Sequence, residues 1–236
     1  MTDWRRLEQR IGACAPFTRR PVAVAFLDST PEGVAKFTGS EPSGCSFWRL
    51  AAEGRTFYTV PSDHFNCAVG SYTHNIDLSS ERAAETTQTL ELMFRVNYIR
   101  PEEVAGIPRL PQTPAAVLYS ALADTPVLPS VILFTCRPAS AMLLQEATIR
   151  AGKPGALPPL GRPTCMALPA ALAHGTVTSL GCIGNRVYTG LSEDDLYVAI
   201  PGVDLPEVAD ALEVITSANA ELTVYAQGRR ARLSTA

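Results

Sequence analysis

This 236-residue chain contains six cysteines, the residues with the widest chemical range. Four of them fall into two similar sequence patterns, called figures below. In the first figure, "CSFWRLAAEG" begins at Cys45 and is followed by Cys67 in "HFNCAVG". In the second, "CMALPAALAHG" begins at Cys165 and is followed by Cys182 in "LGCIGN". Both have the order cysteine, helix-forming residues, glycine, second cysteine, glycine. We therefore interpret these four cysteines as parts of one site.

Four thiolates suit either an iron–sulfur cluster or a tetrahedral zinc ion. The two cysteines of the first figure are 22 positions apart and those of the second are 17 apart. Structural zinc sites usually draw their ligands from much closer pairs, so a [4Fe–4S] cluster with one cysteine pair from each half is the preferred hypothesis. Compact ferredoxin spacings are also absent, and zinc therefore stays an open alternative.

Two metal-free alternatives are also open. In one, small residues and cysteines line an apolar pocket for an organic ligand or cofactor. In the other, the chain is an enzyme with a thiolate nucleophile, because Cys45 and Cys165 stand at predicted helix starts, where the helix dipole lowers a thiol pKa. Glycines near the second cysteines allow close approach of a bound group. The residues expected to bind a cofactor are Gly70, Gly181, Gly184 and Arg186.

Catalytic signatures are missing from the sequence, which contains no GxSxG, HExxH, Walker loop or GxGxxG. His64 lies three residues before Cys67 but is interpreted as structural, and no histidine is marked as the base of a thiolate. The sequence therefore leaves open whether the protein is an enzyme.

Two matching strand patterns indicate an internal repeat. "VAVAFLDSTP" and "SVILFTCRP" each predict a strand followed by a proline turn at Pro31 or Pro138, and "EGVAKF" and "ASAMLLQEA" each predict the helix that follows. We predict an α+β fold, with one domain over residues 1–236 and two related halves at about 20–125 and 126–236. A pseudo-two-fold axis between the halves would bring the two cysteine pairs together.

The rest of the chain predicts scaffold elements. Residues 79–99 predict a core-facing helix with Leu90, Met93 and Val96 on one face. A second helix is predicted over "DLPEVADALEVITSAN", and strands are predicted over "DLYVAIP" and "ELTVYAQ".

Composition limits the class of protein. A hydrophobic content of 46% is enough for a sizeable core, and a net charge of −3 gives no basic surface for a nucleic acid. No apolar run reaches the ~20 residues of a membrane helix. We expect a cytoplasmic protein whose partner is a cofactor or small molecule, with neither nucleic acid nor membrane as partner. The oligomeric state is not predicted.

Four motifs, "CSFWRLAAEG", "HFNCAVG", "YIRPEEVAGIP" and "SLGCIGNRVYTGL", occur in this order over most of the chain. In these motifs and in their order, the chain resembles the uncharacterised prokaryotic family called domain of unknown function 169. The resemblance implies that Cys45, Cys67, Cys165 and Cys182 belong to the family motifs, whereas Cys14 and Cys136 do not. It implies no biochemical activity.

Overall fold

A computed structural model describes residues 2–155 and 159–234, apart from the side chains at 81, 82, 85 and 86. In this part of the chain the strands are β1 (Val22–Leu27), β2 (Phe57–Thr59), β3 (Ala116–Ala121), β4 (Val131–Cys136), β5 (Val177–Ser179) and β6 (Leu196–Pro201). The helices are α1 (Trp4–Cys14), α2 (Gly44–Ala52), α3 (Ala68–Thr73), α4 (Ser80–Arg95), α5 (Pro101–Val104), α6 (Pro138–Arg150), α7 (Ala167–His174), α8 (Ile183–Thr189) and α9 (Leu205–Ser234). Short 3₁₀ turns cover Pro61–His64, Leu122–Asp124 and Thr164–Met166.

The strands form one antiparallel sheet in the order β2-β3-β1-β4-β6-β5. The central pair is β1 and β4, with Val22 opposite Leu133. On either side of this pair the order outward is β3 then β2, and β6 then β5. The predicted α+β class is confirmed.

Helices cover both faces of the sheet because its strands bury alternate side chains on opposite sides. In β4, Val131 and Leu133 pack with residues of α2 and α7, whereas Ile132 and Phe134 pack with residues of α1, α6 and α9. The sheet is therefore the middle of three layers and has a hydrophobic core on each face.

The predicted helix over "EGVAKF" is wrong. Residues 31–39 contain no helix, and the chain there runs beside β2, where the amide of Phe37 donates to the carbonyl of Tyr58 at 2.7 Å. Gly33 has a φ of +71°, which interrupts a helical path. The second copy behaves as predicted, since Pro138 is the first residue of α6. The strand–proline–helix figure is therefore formed once, after β4.

The predicted strand over "ELTVYAQ" is also wrong, because these residues continue α9. Val208 and Leu212 anchor the start of α9 in the core, while every described side chain from 217 to 234 is exposed. Within the described ranges, each helix, α9 included, is too short or too polar to cross a membrane.

Glycines end the two helices that follow the first cysteine of each figure, as the sequence predicts. Gly54 has a φ of +98° and Gly175 a φ of +87°. At Gly175 a Cβ atom would lie 2.1 Å from the carbonyl oxygen of Pro154. The two segments that meet there therefore need glycine for space as well as for its positive φ.

Gly175→Ala is expected to destabilise the fold by about 3 kcal/mol or more, because positive φ strain adds to a backbone clash. Gly152→Ala is the matched control, since Gly152 has a φ of +68° but nothing within 4 Å of the added Cβ atom. The control should lose about 1 kcal/mol. Urea unfolding of both variants measures the difference, and equal losses would contradict the assigned contact.

Candidate functional site

The first cysteine pair lies at the starts of two helices. Cys45 is the second residue of α2, and Cys67 is the residue directly before α3. The sulfur of Cys67 accepts a hydrogen bond from the amide of Gly70 at 3.1 Å. This bond fixes the Cys67 side chain, which is half-buried, whereas Cys45 is buried.

The second pair occupies similar positions. Cys165 lies in the 3₁₀ turn that leads into α7, and Cys182 directly precedes α8. The amide of Cys182 donates to the Thr164 hydroxyl at 2.5 Å, which ties the second cysteine to the turn that holds the first. Cys165 is buried and Cys182 is half-buried.

All four cysteines lie on the wall of one cavity of about 500 Å³. The rest of the wall is largely apolar and comes mainly from α3, α4, the segment that follows α4, and α8. Among its side chains are Val69, Leu90, Leu92, Met93, Val96, Ile99, Val104, Ile107 and Ile183, with the rings of Tyr72, Tyr98 and Tyr188. The cavity thus has a cysteine-bearing end and an apolar remainder.

The expected low pKa values of Cys45 and Cys165 are wrong. Burial raises the pKa of both thiols well above its usual value, and neighbouring cysteines raise it further. Loss of hydration opposes the charged form more strongly than one helix start favours it. This protonated state disfavours the thiolate-nucleophile alternative.

The four sulfurs influence one another electrostatically across the two figures. After burial, the largest contributions to the raised pKa of Cys45 come from Cys67 and Cys182, and those for Cys165 come from Cys67 and Cys45. Each thiolate would therefore disfavour ionisation of the others, because like charges repel. Among the described residues, no group of three or more His, Cys, Asp or Glu side chains is arranged to hold a metal ion as it stands.

Hydrogen-bond donors surround the sulfurs. Burial raises the pKa of Cys67, while the backbone amides of Gly44, Gly70 and Val69 act in the opposite direction. The side chains of Asn185 and Ser43 favour the thiolate of Cys45, and Thr73 does the same for Cys165. Such donors are the contacts that stabilise a ligating sulfur.

The residues expected to bind a cofactor differ in their positions. Gly184 lies on the cavity wall. Gly70 lies behind Cys67, and a Cβ atom there would be 2.8 Å from its sulfur. Arg186 donates to the backbone carbonyls of Leu180 and Ser192, so it holds the loop around Gly181.

Helix α4 forms as predicted, but its position corrects the expectation that it faces the core. Leu90 and Met93 are half-buried, and Val96 is 59% exposed. Their side chains line the cavity. The amphipathic pattern predicts an apolar face but does not distinguish a face that packs on a core from one that borders a cavity.

Asn185, three residues after Cys182 in "CIGNR", is a site residue that the cysteine motifs alone do not predict. It is 1% exposed, lines the cavity and contacts the hydroxyl of Tyr197 at 3.4 Å. The available sequence signal was its position three residues after Cys182, because residues three apart in a helix lie on the same face.

Two buried histidines lie behind the Cys67 segment. The rings of His64 and His74 are 5.4 Å apart, and His64 contacts the Thr59 hydroxyl at 2.9 Å. Burial lowers the pKa of His64 to about 3, with a smaller effect from His74, and burial lowers the pKa of His74 to about 4. Both imidazoles are therefore neutral near pH 7, and the structural role of His64 stays a prediction.

The fold and the cavity define an α+β protein with a cysteine-bearing apolar cavity between its helices. The chain belongs to the family DUF169, described as "Uncharacterised ArCR", which matches residues 13–211. It is similar to the "Uncharacterized protein MJ0308" of Methanocaldococcus jannaschii, with 25% identity over 196 residues, 79% of this chain and 82% of that protein. No solved structure matches the chain.

The neutral histidines predict an acid-sensitive fold. Between pH 6.5 and 5 the unfolded chain binds protons on both imidazoles, while the folded chain does not. The free energy of unfolding should therefore decrease as the pH is lowered through this range. The slope should approach about 2.7 kcal/mol per pH unit for two such groups.

His64→Gln or His74→Gln should reduce that slope by about half, because one of the two groups is removed. His174→Gln is the control, since His174 is exposed at the end of α7. Urea unfolding at intervals of pH measures the slopes. An unchanged slope in both buried-histidine variants would show that other groups cause the acid sensitivity.

Proposed function

We propose that this protein binds a [4Fe–4S] cluster through Cys45, Cys67, Cys165 and Cys182 and acts as a redox accessory protein of the cytoplasm. The observation that carries the proposal is the position of these four cysteines on one cavity wall. Two come from each figure, and the sequence separation between the figures is about 120 positions. Four thiolates are the usual ligands of such a cluster.

The electrostatics of the cysteines supports a cationic occupant. Each buried thiol resists ionisation partly because its neighbours would carry the same charge. Iron ions relieve that repulsion and hold all four sulfurs deprotonated, so binding is coupled to the release of protons. The energetic cost of the free thiolates is then offset in the bound state.

The size of the occupant favours a cluster over zinc. A single tetrahedral zinc ion holds four sulfurs at about 2.3 Å from one centre and so needs them tightly gathered. A cubane of iron and sulfide spreads its four cysteine ligands over a larger body. The four cysteines share one cavity wall, and among the described residues no three ligand side chains are gathered into a cage for a single ion.

The surroundings of the sulfurs also suit a cluster. The amide of Gly70 donates to the sulfur of Cys67, and the cavity wall beside the cysteines is largely apolar. Hydrogen bonds to sulfur and exclusion of water are the main ways in which a protein adjusts a cluster's reduction potential. When bound, the cluster supplies one-electron chemistry, and the chain supplies ligation and shielding.

We also propose that residues 20–125 and 126–236 are related by an internal pseudo-two-fold repeat. The strand order supports this, because β1, β3 and β2 run outward from the centre as β4, β6 and β5 do. In both halves a cysteine at a helix start, a glycine, an edge strand and a second helix-start cysteine follow one another. The repeat would explain why each half contributes two ligands.

Protein made without oxygen should be brown, with iron and sulfide in comparable amounts. Cys182→Ser should remove most of the iron and the visible absorption, because a hydroxyl is a poor replacement for a thiolate ligand. Serine also suits the position before α8, so the fold should persist. Metal analysis and absorption spectra measure the effect.

Cys14→Ser is the matched control and should keep its colour, since Cys14 lies at the end of α1 away from the cavity wall. If the anaerobic protein is colourless and contains zinc, the four cysteines form a structural zinc site and not a cluster site. Protein with neither metal would refute the proposal.

Gly70→Ala should weaken the cluster without removing a ligand. The added Cβ atom would be 2.8 Å from the sulfur of Cys67 and would push it out of position. Gly161→Ala is the control, because nothing lies within 4 Å of a Cβ atom there. The iron content after anaerobic purification should fall at least several-fold in Gly70→Ala alone, and equal retention in both variants would argue against Cys67 as a ligand.

A further inference from the structure

We propose that the same cavity binds an amphipathic organic anion, with its apolar body against the α4 side of the cavity and its acidic group at Arg162. This ligand goes beyond the proposed function. It would occupy the same cavity as the cluster, but its binding does not depend on the cluster. The inference starts from the part of the cavity that four metal ligands leave unused.

The volume of the cavity exceeds what a cysteine-bound metal centre requires. About 500 Å³ lies within the range of pockets that hold small organic molecules, roughly 300–1,000 Å³. The cysteines and Asn185 account for one part of the wall, whereas the wall formed by α4, α5 and the residues between them carries no cysteine. A second occupant fits beside a cluster or alone.

The wall away from the cysteines presents apolar side chains to open space. On α4, Leu90 and Met93 are half-buried and Leu92 is 47% exposed, and Ile99 and Ile107 continue the same wall. Apolar surface of this extent in a concave site favours a ligand with a hydrocarbon or aromatic body, because its burial removes that surface from water.

The charge at the cavity rim selects an anion. Arg162 is the one charged side chain among the described lining residues, which include no aspartate, glutamate or lysine. A cationic ligand would be repelled there, and a neutral ligand would leave the guanidinium unused. An anion is therefore the matching class.

The guanidinium of Arg162 is held in position and has only a long ion pair with a carboxylate. Its central carbon lies 4.8 Å from the ring centroid of Tyr98, which orients it. Its nearest carboxylate, Glu103, is 3.9 Å away and already accepts three hydrogen bonds from Arg100. Within the described residues no acceptor forms a hydrogen bond with Arg162, so its planar donors are available to a carboxylate, sulfonate or phosphate oxygen.

The test uses protein purified in air and freed of metal, with the fluorescent anion 8-anilinonaphthalene-1-sulfonate as the probe. We expect enhanced probe fluorescence that decanoate and decyl phosphate reverse at concentrations at least about tenfold lower than decan-1-ol does, since all three share one chain and only the first two carry charge. The ratio of the concentrations at which decanoate and decyl phosphate displace the probe shows whether the site prefers a carboxylate or a phosphate headgroup. Equal displacement by decan-1-ol and both anions would overturn the proposal.

Two variant pairs locate the binding site. Arg162→Gln should reduce the advantage of decanoate over decan-1-ol to less than about threefold, whereas Arg150→Gln, an exposed arginine at the end of α6, should leave it unchanged. Met93→Trp should fill the cavity and reduce probe fluorescence several-fold, whereas Met142→Trp, which is exposed on α6, should not. An unchanged response in either Arg162→Gln or Met93→Trp would overturn the assigned site.

Failure of this inference is distinguishable from failure of the cluster. A Cys67→Ser, Cys182→Ser double variant should bind no iron but keep the probe response within about twofold of the parent, because the apolar wall and Arg162 are untouched. Loss of the probe response in the double variant, with the circular dichroism spectrum unchanged, would overturn a site centred on α4 and Arg162.

Discussion

The pairing of β1 with β4 at the centre of the sheet is the contact on which the remaining architecture depends. These two strands bury both faces, and Val22 opposite Leu133 fixes their register. Because their side chains on one face meet α2 and α7, the pairing brings two helices from distant parts of the chain onto the same layer. The entropy cost of closing such a long loop grows only slowly with its length. One strand pair therefore brings residues near position 45 and residues near position 165 to one cavity.

The cavity combines two opposed tendencies. Helix starts favour a charged sulfur, and burial favours a neutral one. Burial is the larger effect for Cys45 and Cys165, whose thiols stay protonated in the chain alone. Protonated thiols of this kind are poor nucleophiles. In the proposed cluster-bound state, the same low polarity that suppresses the free thiolates would strengthen their attraction to iron.

Local signals in the sequence predict the elements whose ends are marked. The strands β1 and β4 are apolar runs bounded by prolines, and α2 and α7 end at glycines with positive φ, so their existence follows from neighbouring residues. The failed helix after Pro31 depends on a distant partner, the backbone of β2, which no local pattern reveals. The apparent strand "ELTVYAQ" fails because α9 has already begun at Leu205, and after Pro206 in its first turn no proline or glycine interrupts it before Gly228. The shared order of the cysteine figures predicts the four cysteines as one group. The size of the cavity, however, depends on where α4 lies, and the hydrophobic periodicity of α4 does not determine that position.

The uneven burial of α9 gives one helix two different local stabilities. Amides near Val208 and Leu212 are held by core packing, so their exchange with solvent deuterium requires a large opening of the domain. Beyond residue 217 every described side chain faces solvent, and the helix there rests on its own backbone hydrogen bonds. Deuterium uptake should therefore rise along α9 toward its C-terminal end, in steps of single turns instead of one cooperative event. The length of α9 and its stability are in this way set by different residues.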